Sequence, residues 1–134
     1  MAKPIVLVVE DDDNQRLLYE DDLKWVGYEV IAVKSGHEGL QALRDNKIDV
    51  VLLDIAMPGM DGIETLGKIL DYDNQMPVIL NTAYSSYKDD FMTWAAEAYV
   101  IKSHDTAELH KAIAEVLGKR GIEAPEEPTE TTGE

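Results

Sequence analysis

Four acids in a row, Glu10, Asp11, Asp12 and Asp13, follow directly on the apolar, β-branched run Ile5 to Val9. Another acid, Asp54, closes the fully apolar run Val50, Val51, Leu52 and Leu53, and Lys102 follows Tyr99, Val100 and Ile101 in the same way. Asn81 and Thr82 end a third apolar run, Val78 to Leu80. Carboxylates a few ångströms apart repel and raise one another's pKa, and a hard divalent cation relieves this by taking oxygen ligands. Mg²⁺, which prefers an octahedron and keeps several waters, is the natural ion for such a set. A Lys on a strand beside the acids is a point charge suited to a phosphate oxygen. Taken alone, the run from Glu10 to Asp13 reads as a solvated loop that also caps the next helix. Asp54 has no such duty visible, so the combination outweighs its parts.

The elements that must position these residues alternate along the chain. Buried strands are expected at Ile5 to Val9 and Val50 to Leu53, both continuously apolar, and further strands at Tyr28 to Val33, Val78 to Leu80 and Tyr99 to Ile101. Helices are expected from Asn14 to Val26, with Gly27 as the stop, and after Ser35, which with Glu38 has the spacing of a capping box. Leu40 and Leu43 face inward on that second helix, which fades at Asp45 and Asn46. The loop Met57-Pro58-Gly59-Met60-Asp61-Gly62 leads into a helix with Ile63, Leu66, Ile69 and Leu70 on one stripe. A fourth helix is expected over Asp89 to Ala96. The last runs from about Thr106 to Leu117, capped by Asp105 or Thr106, with Leu109, Ile113, Val116 and Leu117 inward. Five strands alternating with five helices on short connections call for an open α/β domain, a parallel sheet covered on both faces. In such sheets ligands bind beyond the carboxyl ends of the strands, where Glu10, Asp11, Asp54, Thr82 and Lys102 all fall.

The chain has 134 residues and a formal net charge of -15, which suits one globular domain and argues against direct binding of nucleic acid. It has no Cys, so a disulfide framework, a thiolate nucleophile and a Cys-ligated metal are excluded. No apolar run approaches the ~20 residues of a membrane span, and a soluble, cytoplasmic protein is expected. Residues 1–118 read as the folded domain, and residues 119–134, with Pro125, Pro128 and five Glu, as a disordered acidic tail or linker.

With these residues in view, Val9-Glu10-Asp11-Asp12, Leu53-Asp54 through Gly62, Asn81-Thr82-Ala83 and Tyr99 to Lys102 resemble the receiver domain of two-component response regulators, of the chemotaxis-Y-like kind. The resemblance covers roughly Pro4 to Leu117. It implies a three-layer, doubly wound, flavodoxin-like fold with strand order 2-1-3-4-5. It implies that Asp54 accepts a phosphoryl group from a histidine kinase or phosphotransfer protein, and that the domain catalyses its own phosphorylation and slow autodephosphorylation. By the same resemblance Asp11 and Asp54 would ligate Mg²⁺ directly, Glu10 through a water, and the Ala56 carbonyl would complete the protein ligands. Lys102 would pair with a phosphoryl oxygen, while Thr82 and Tyr99 would act as switch residues. The surface of the fourth helix, fifth strand and fifth helix would then change for a downstream protein target or output domain, with homodimerisation through that face left open.

Three departures matter. Glu10 stands where the family most often has Asp. Ser103 stands where it usually has a cis-Pro, so a trans Lys102-Ser103 bond is expected. Tyr84 is bulky at the mouth of the site. Trp94 and Phe91 read as core or partner-face residues, and His37, His104 and His110 as surface residues. The competing readings are a receiver-like binding module that is never phosphorylated, and a cofactor-binding or hydrolytic enzyme on the same fold. The acids after the first strand, in place of a phosphate-cradling loop, argue against the enzyme.

Overall fold

The computed structural model describes residues 3–55, 62–83, 95–103 and 105–126. Strands β1 (Ile5–Val9), β2 (Glu29–Val33), β3 (Val50–Leu53), β4 (Val78–Thr82) and β5 (Ala98–Ile101) form one sheet in the order β2-β1-β3-β4-β5. Every pairing is parallel, with Val9 opposite both Val33 and Leu53, and Leu80 opposite Tyr99. The expected order is thus observed. Helices α1 (Asp13–Val26), α2 (Gly36–Asp45), α3 (Gly62–Tyr72) and α4 (Ala107–Lys119) are the crossovers among the described residues. The helix expected over Asp89 to Ala96 lies almost wholly outside those residues, as do Tyr84, Phe91, Trp94 and His104.

Alternation along the strands sorts the core into two layers. Val6, Val8, Val50, Leu52, Ile79 and Val100 pack with Tyr19, Leu23 and Val26 of α1 and with Leu109, Ile113, Val116 and Leu117 of α4. Leu7, Val9, Val51, Leu53, Val78 and Leu80 pack on the other face with Leu40 and Leu43 of α2 and Leu66 and Ile69 of α3. β1 and β3 are flanked by strands on both edges and by helices on both faces, which is why their residues are apolar without interruption.

Helix α1 buries a narrow stripe. Tyr19, Leu23 and Val26 face the core, while Leu17, Leu18 and Trp25 are each more than half exposed. The capping reading of Ser35 holds: its Oγ accepts from the Glu38 N–H, and Glu38 accepts from the Lys34 N–H. At α4, of the two expected caps, Asp105 makes the side-chain bond. Thr106 makes no side-chain cap bond and donates instead to Asp22, while Asp105 accepts from the Ala107 N–H. His110 is not a plain surface residue either, since its Nε2 lies 2.7 Å from Asp22 Oδ2 and ties α4 to α1.

Residues 120–126, which follow α4 directly, are more ordered than the composition of the segment suggests. Gly121 takes a left-handed φ of 75°, and the Ile122 N–H returns to the Leu117 carbonyl. Ile122 and Ala124 then pack against the core, and Pro125 sits over Gly27. A few apolar residues and one glycine suffice for this, despite the surrounding Glu and Pro.

Gly62, the first residue of α3, crosses directly over the end of β3. A Cβ there would lie 2.0 Å from Ile55 Cα and 2.6 Å from the Asp54 carbonyl oxygen, both backbone atoms that cannot yield. Gly67, five residues on in the same helix, has nothing within 4 Å of such a Cβ. In urea denaturation, Gly62→Ala is expected to cost about 3 kcal/mol through overpacking, whereas Gly67→Ala should stabilise by about 0.5–1 kcal/mol through helix propensity. Equal effects at the two positions would contradict this packing.

Candidate functional site

Three backbone hydrogen bonds carry the sheet ladder one residue past its strands. The Glu10 N–H donates to Val33 O at 3.0 Å, the Asp54 N–H to Val9 O at 3.2 Å and the Lys102 N–H to Thr82 O at 2.8 Å. Each residue is thus fixed by main chain while its side chain leaves the sheet at the carboxyl edge. One carboxylate oxygen each from Glu10, Asp11 and Asp54 lies within 4.8 Å of the other two. Glu10 is only 2% exposed and Asp54 6%.

Lys102 follows β5 directly, two strands from Asp54 and three from Glu10, and its stem must reach back over β4. Its Nζ donates to Glu10 Oε1 at 2.7 Å and to Asp54 Oδ2 at 2.9 Å. The third donor goes to Gln15 Oε1 in the first turn of α1. An ammonium has three N–H groups, and each has an acceptor here. Thr82 is wholly buried at the end of β4, between the strands that carry Asp54 and Lys102. Tyr99, half-buried, shares the α2/α3 face of the sheet with Leu80 and hence with Thr82. The Lys102-Ser103 bond is trans, as expected. Ala56 and the loop to Asp61 lie outside the described residues.

The four consecutive acids divide their duties. Asp12 caps α1, its Oδ1 accepting from the Gln15 N–H at 2.9 Å, and Asp13 pairs with Arg16 at 2.5 Å. Glu10 and Asp11 are left to the site. The capping reading of the run thus holds for Asp12, while Glu10 and Asp11 stand with Asp54 in a carboxylate cluster that could hold a metal ion. Arg16 also donates to the Glu10 carbonyl at 3.0 Å, bracing the turn between β1 and α1.

Gln15, Arg16 and the Tyr19–Asn81 hydrogen bond beneath the site were not legible in advance. A signal existed for Gln15. Once Asp12 is the N-cap, position 15 is the third residue of the helix and lies beside the strand end that carries the acids.

Burial of Glu10, added to the charge of Asp54, lifts its carboxyl above the ordinary 4.5 although the hydrogen bond and charge of Lys102 pull it down. For Lys102 the burial alone would lower the pKa. Hydrogen bonds to Asp54 and Glu10, with their charges, outweigh it and hold the ammonium above 10.5. Both partners of one pair therefore move upward, because Glu10 is the more deeply buried of the two and also faces a like charge. Burial likewise raises the Tyr19 phenol.

The family described as the response regulator receiver domain matches residues 6–114. The transcriptional regulatory protein YkoG of Bacillus subtilis is 35% identical over 90% of this chain, which spans only 54% of YkoG's own length. Response regulator TrrA of Thermotoga maritima, solved in complex with Mg²⁺ and a beryllium fluoride, is 38% identical with a TM-score of 0.82, covering 85% of this chain and 99% of that one. TrrA solved in complex with the histidine kinase ThkA superposes with a TM-score of 0.80 at the same identity, over 85% of this chain and 98% of that one.

The raised carboxyl of Glu10 sets a pH dependence of stability. A folded-state pKa above the unfolded one gives a contribution that is fully present below the ordinary value of 4.5 and is lost as pH rises through the folded value. Without divalent cations, urea unfolding of wild type and Glu10→Gln between pH 4 and pH 7 should therefore shift in favour of the variant as pH rises. Adding Mg²⁺ at pH 7 should stabilise wild type more than the variant. A difference that is flat with pH would contradict the burial of Glu10 as the dominant cause.

Proposed function

The chain belongs to the response regulator receiver family, and on that premise we propose that Asp54 is the phosphoacceptor of a Mg²⁺-dependent switch in phosphorelay signalling. The observation that carries this is the placement of one ammonium, Lys102, between two buried carboxylates, one of them Asp54, at the carboxyl edge of the sheet.

Glu10, Asp11 and Asp54 offer three hard oxygen donors close together, a set that fits Mg²⁺ and not a soft metal. The resemblance adds the carbonyl of Ala56. When bound there, the ion would neutralise charge on the phosphoryl oxygens. A carboxylate oxygen of Asp54 attacks the phosphorus of a phosphohistidine on a partner kinase or phosphotransfer protein. The O–P bond forms as the P–N bond breaks, and its electron pair stays on the imidazole, which leaves neutral when its other nitrogen carries a proton. Lys102, kept charged at neutral pH, exchanges Asp54 Oδ2 for a phosphoryl oxygen. The modification replaces the single carboxylate charge of Asp54 with about two on the phosphoryl oxygens, a net gain of about one. Thr82 donates its hydroxyl to the phosphoryl group, and Tyr99 follows inward on the same face of the sheet.

The changed surface beyond β5 is read by a downstream protein or output domain. YkoG is roughly twice this chain's matched length and carries a transcriptional role in its name, so an output of that kind is part of the proposal. In this reading residues 1–118 form the receiver and residues 119–134 its acidic tail or linker. A cytoplasmic location belongs to the same reading and rests on the family. Among the described residues no helix is long and apolar enough to cross a membrane.

Intact mass after incubation with phosphoramidate should show a gain of one phosphoryl group that requires both Mg²⁺ and Asp54, absent in Asp54→Asn. Lys102→Met should slow that gain by about a hundredfold, the scale of losing one preorganised charge-stabilising donor. No gain from phosphoramidate or from a panel of histidine kinases would turn the assignment toward a static binding module.

A further inference from the structure

We propose that Gln15 is a positioning residue for phosphoryl transfer, holding the Lys102 ammonium over Asp54 when the carboxylates around it change their charge. The proposal rests on the reading of Asp54 as phosphoacceptor. Lys102 has three acceptors, and they are not alike. Glu10 and Asp54 are anions that also belong to the acidic trio, so a divalent cation in that trio draws on the same oxygens and repels the ammonium. Once Asp54 is esterified, its negative charge moves out onto the phosphoryl oxygens. Gln15 is neutral, lies outside the trio, and offers Lys102 an oxygen whose attraction survives both events.

The support of Gln15 is rigid. Its backbone N–H is held by Asp12 Oδ1 at the start of α1, and Arg16, the next residue, is bonded to the Glu10 carbonyl at 3.0 Å. The amide is thus referenced to the same turn that sets Glu10, and through Lys102 to Asp54, 39 positions further along the chain. The Lys102 side chain is 13% exposed. Without Gln15, a third of its hydrogen-bonding capacity would turn to solvent as the metal site fills, and the four-carbon stem would be free to leave the phosphoryl position. With it, one N–H stays anchored on α1 and two remain to pass from carboxylate to phosphoryl oxygens. A side chain merely touching Lys102 at the rim of the site would leave the reaction rate and the ammonium's mobility unchanged when removed.

Wild type, Gln15→Leu and Gln15→Glu are compared at saturating Mg²⁺ in two readouts. The first is the ¹H–¹⁵N cross-peak of the Lys102 ammonium, identified by its disappearance in Lys102→Arg and visible only while the group is held against exchange with water. It should be present in wild type and Gln15→Glu and lost in Gln15→Leu. The second is the rate of phosphoryl gain against phosphoramidate concentration. Gln15→Leu should lower the maximal rate about tenfold, the scale of one hydrogen bond to a charged group, with the half-saturating concentration within about twofold of wild type. Gln15→Glu, which keeps the acceptor oxygen, should recover most of the loss. Survival of the cross-peak in Gln15→Leu, or an unchanged maximal rate, overturns the proposal. If wild type itself gains no phosphoryl group, the function proposed for Asp54 fails, and the cross-peak alone then decides whether Gln15 holds Lys102.

Discussion

Two carboxylates, Glu10 and Asp54, are buried side by side at the edge of this sheet, and a third, Asp11, stands with them. In water such a group of anions is tolerable, but out of water it is strongly unfavourable without compensation. Lys102 supplies part of it from three strands away. That reach is possible only because β5 lies parallel to and in register with β4, so that Lys102 N–H closes on Thr82 and the stem turns back over the sheet. The fold is thus the means by which residues at positions 10, 54, 82 and 102 share one small volume.

Compensation is incomplete, and this is what makes the site useful. The pair does not bring the Glu10 carboxyl to its ordinary value; burial and Asp54 still hold it up. A cation with hard oxygen preferences would relieve the remaining repulsion, and a phosphoryl group on Asp54 would redistribute it. The same imbalance that costs stability in the metal-free protein would, in the proposed function, favour the species that complete the site. Local design around it follows suit: Asp12 and Asp13 are committed to the helix cap and to Arg16, so only two of the four consecutive acids load the site.

Much of this was legible in the sequence, for physical reasons. Strands buried on both faces must be continuously apolar, so the ends of β1 and β3 were marked by the first charged residue, Glu10 and Asp54, as Lys102 marks the end of the edge strand β5, and the topology of an open parallel sheet brings those ends together. The amphipathic stripes of α2, α3 and α4 were equally plain. Helix α1 was harder, because Leu17, Leu18 and Trp25 sit on its exposed side and blur the stripe formed by Tyr19, Leu23 and Val26. The folded-back segment after α4 was hidden for the opposite reason: Ile122, Ala124 and Pro125 are too few and too scattered among Glu to register as a core-facing element. Gln15 was missed because a polar residue in a first helical turn is ordinary. Only the position of Asp12 as cap gives it meaning.

The central claim, that the buried carboxylate at the end of β3 is the group that carries the phosphoryl, is tested most directly by trapping the acyl phosphate. Borohydride reduces an aspartyl phosphate to the corresponding alcohol, so the phosphorylated protein, reduced and digested, should contain homoserine in place of Asp54 and at no other acid. Homoserine at another position, or a stable phosphoryl group on a Ser, Thr or Tyr peptide that borohydride leaves untouched, would contradict the account.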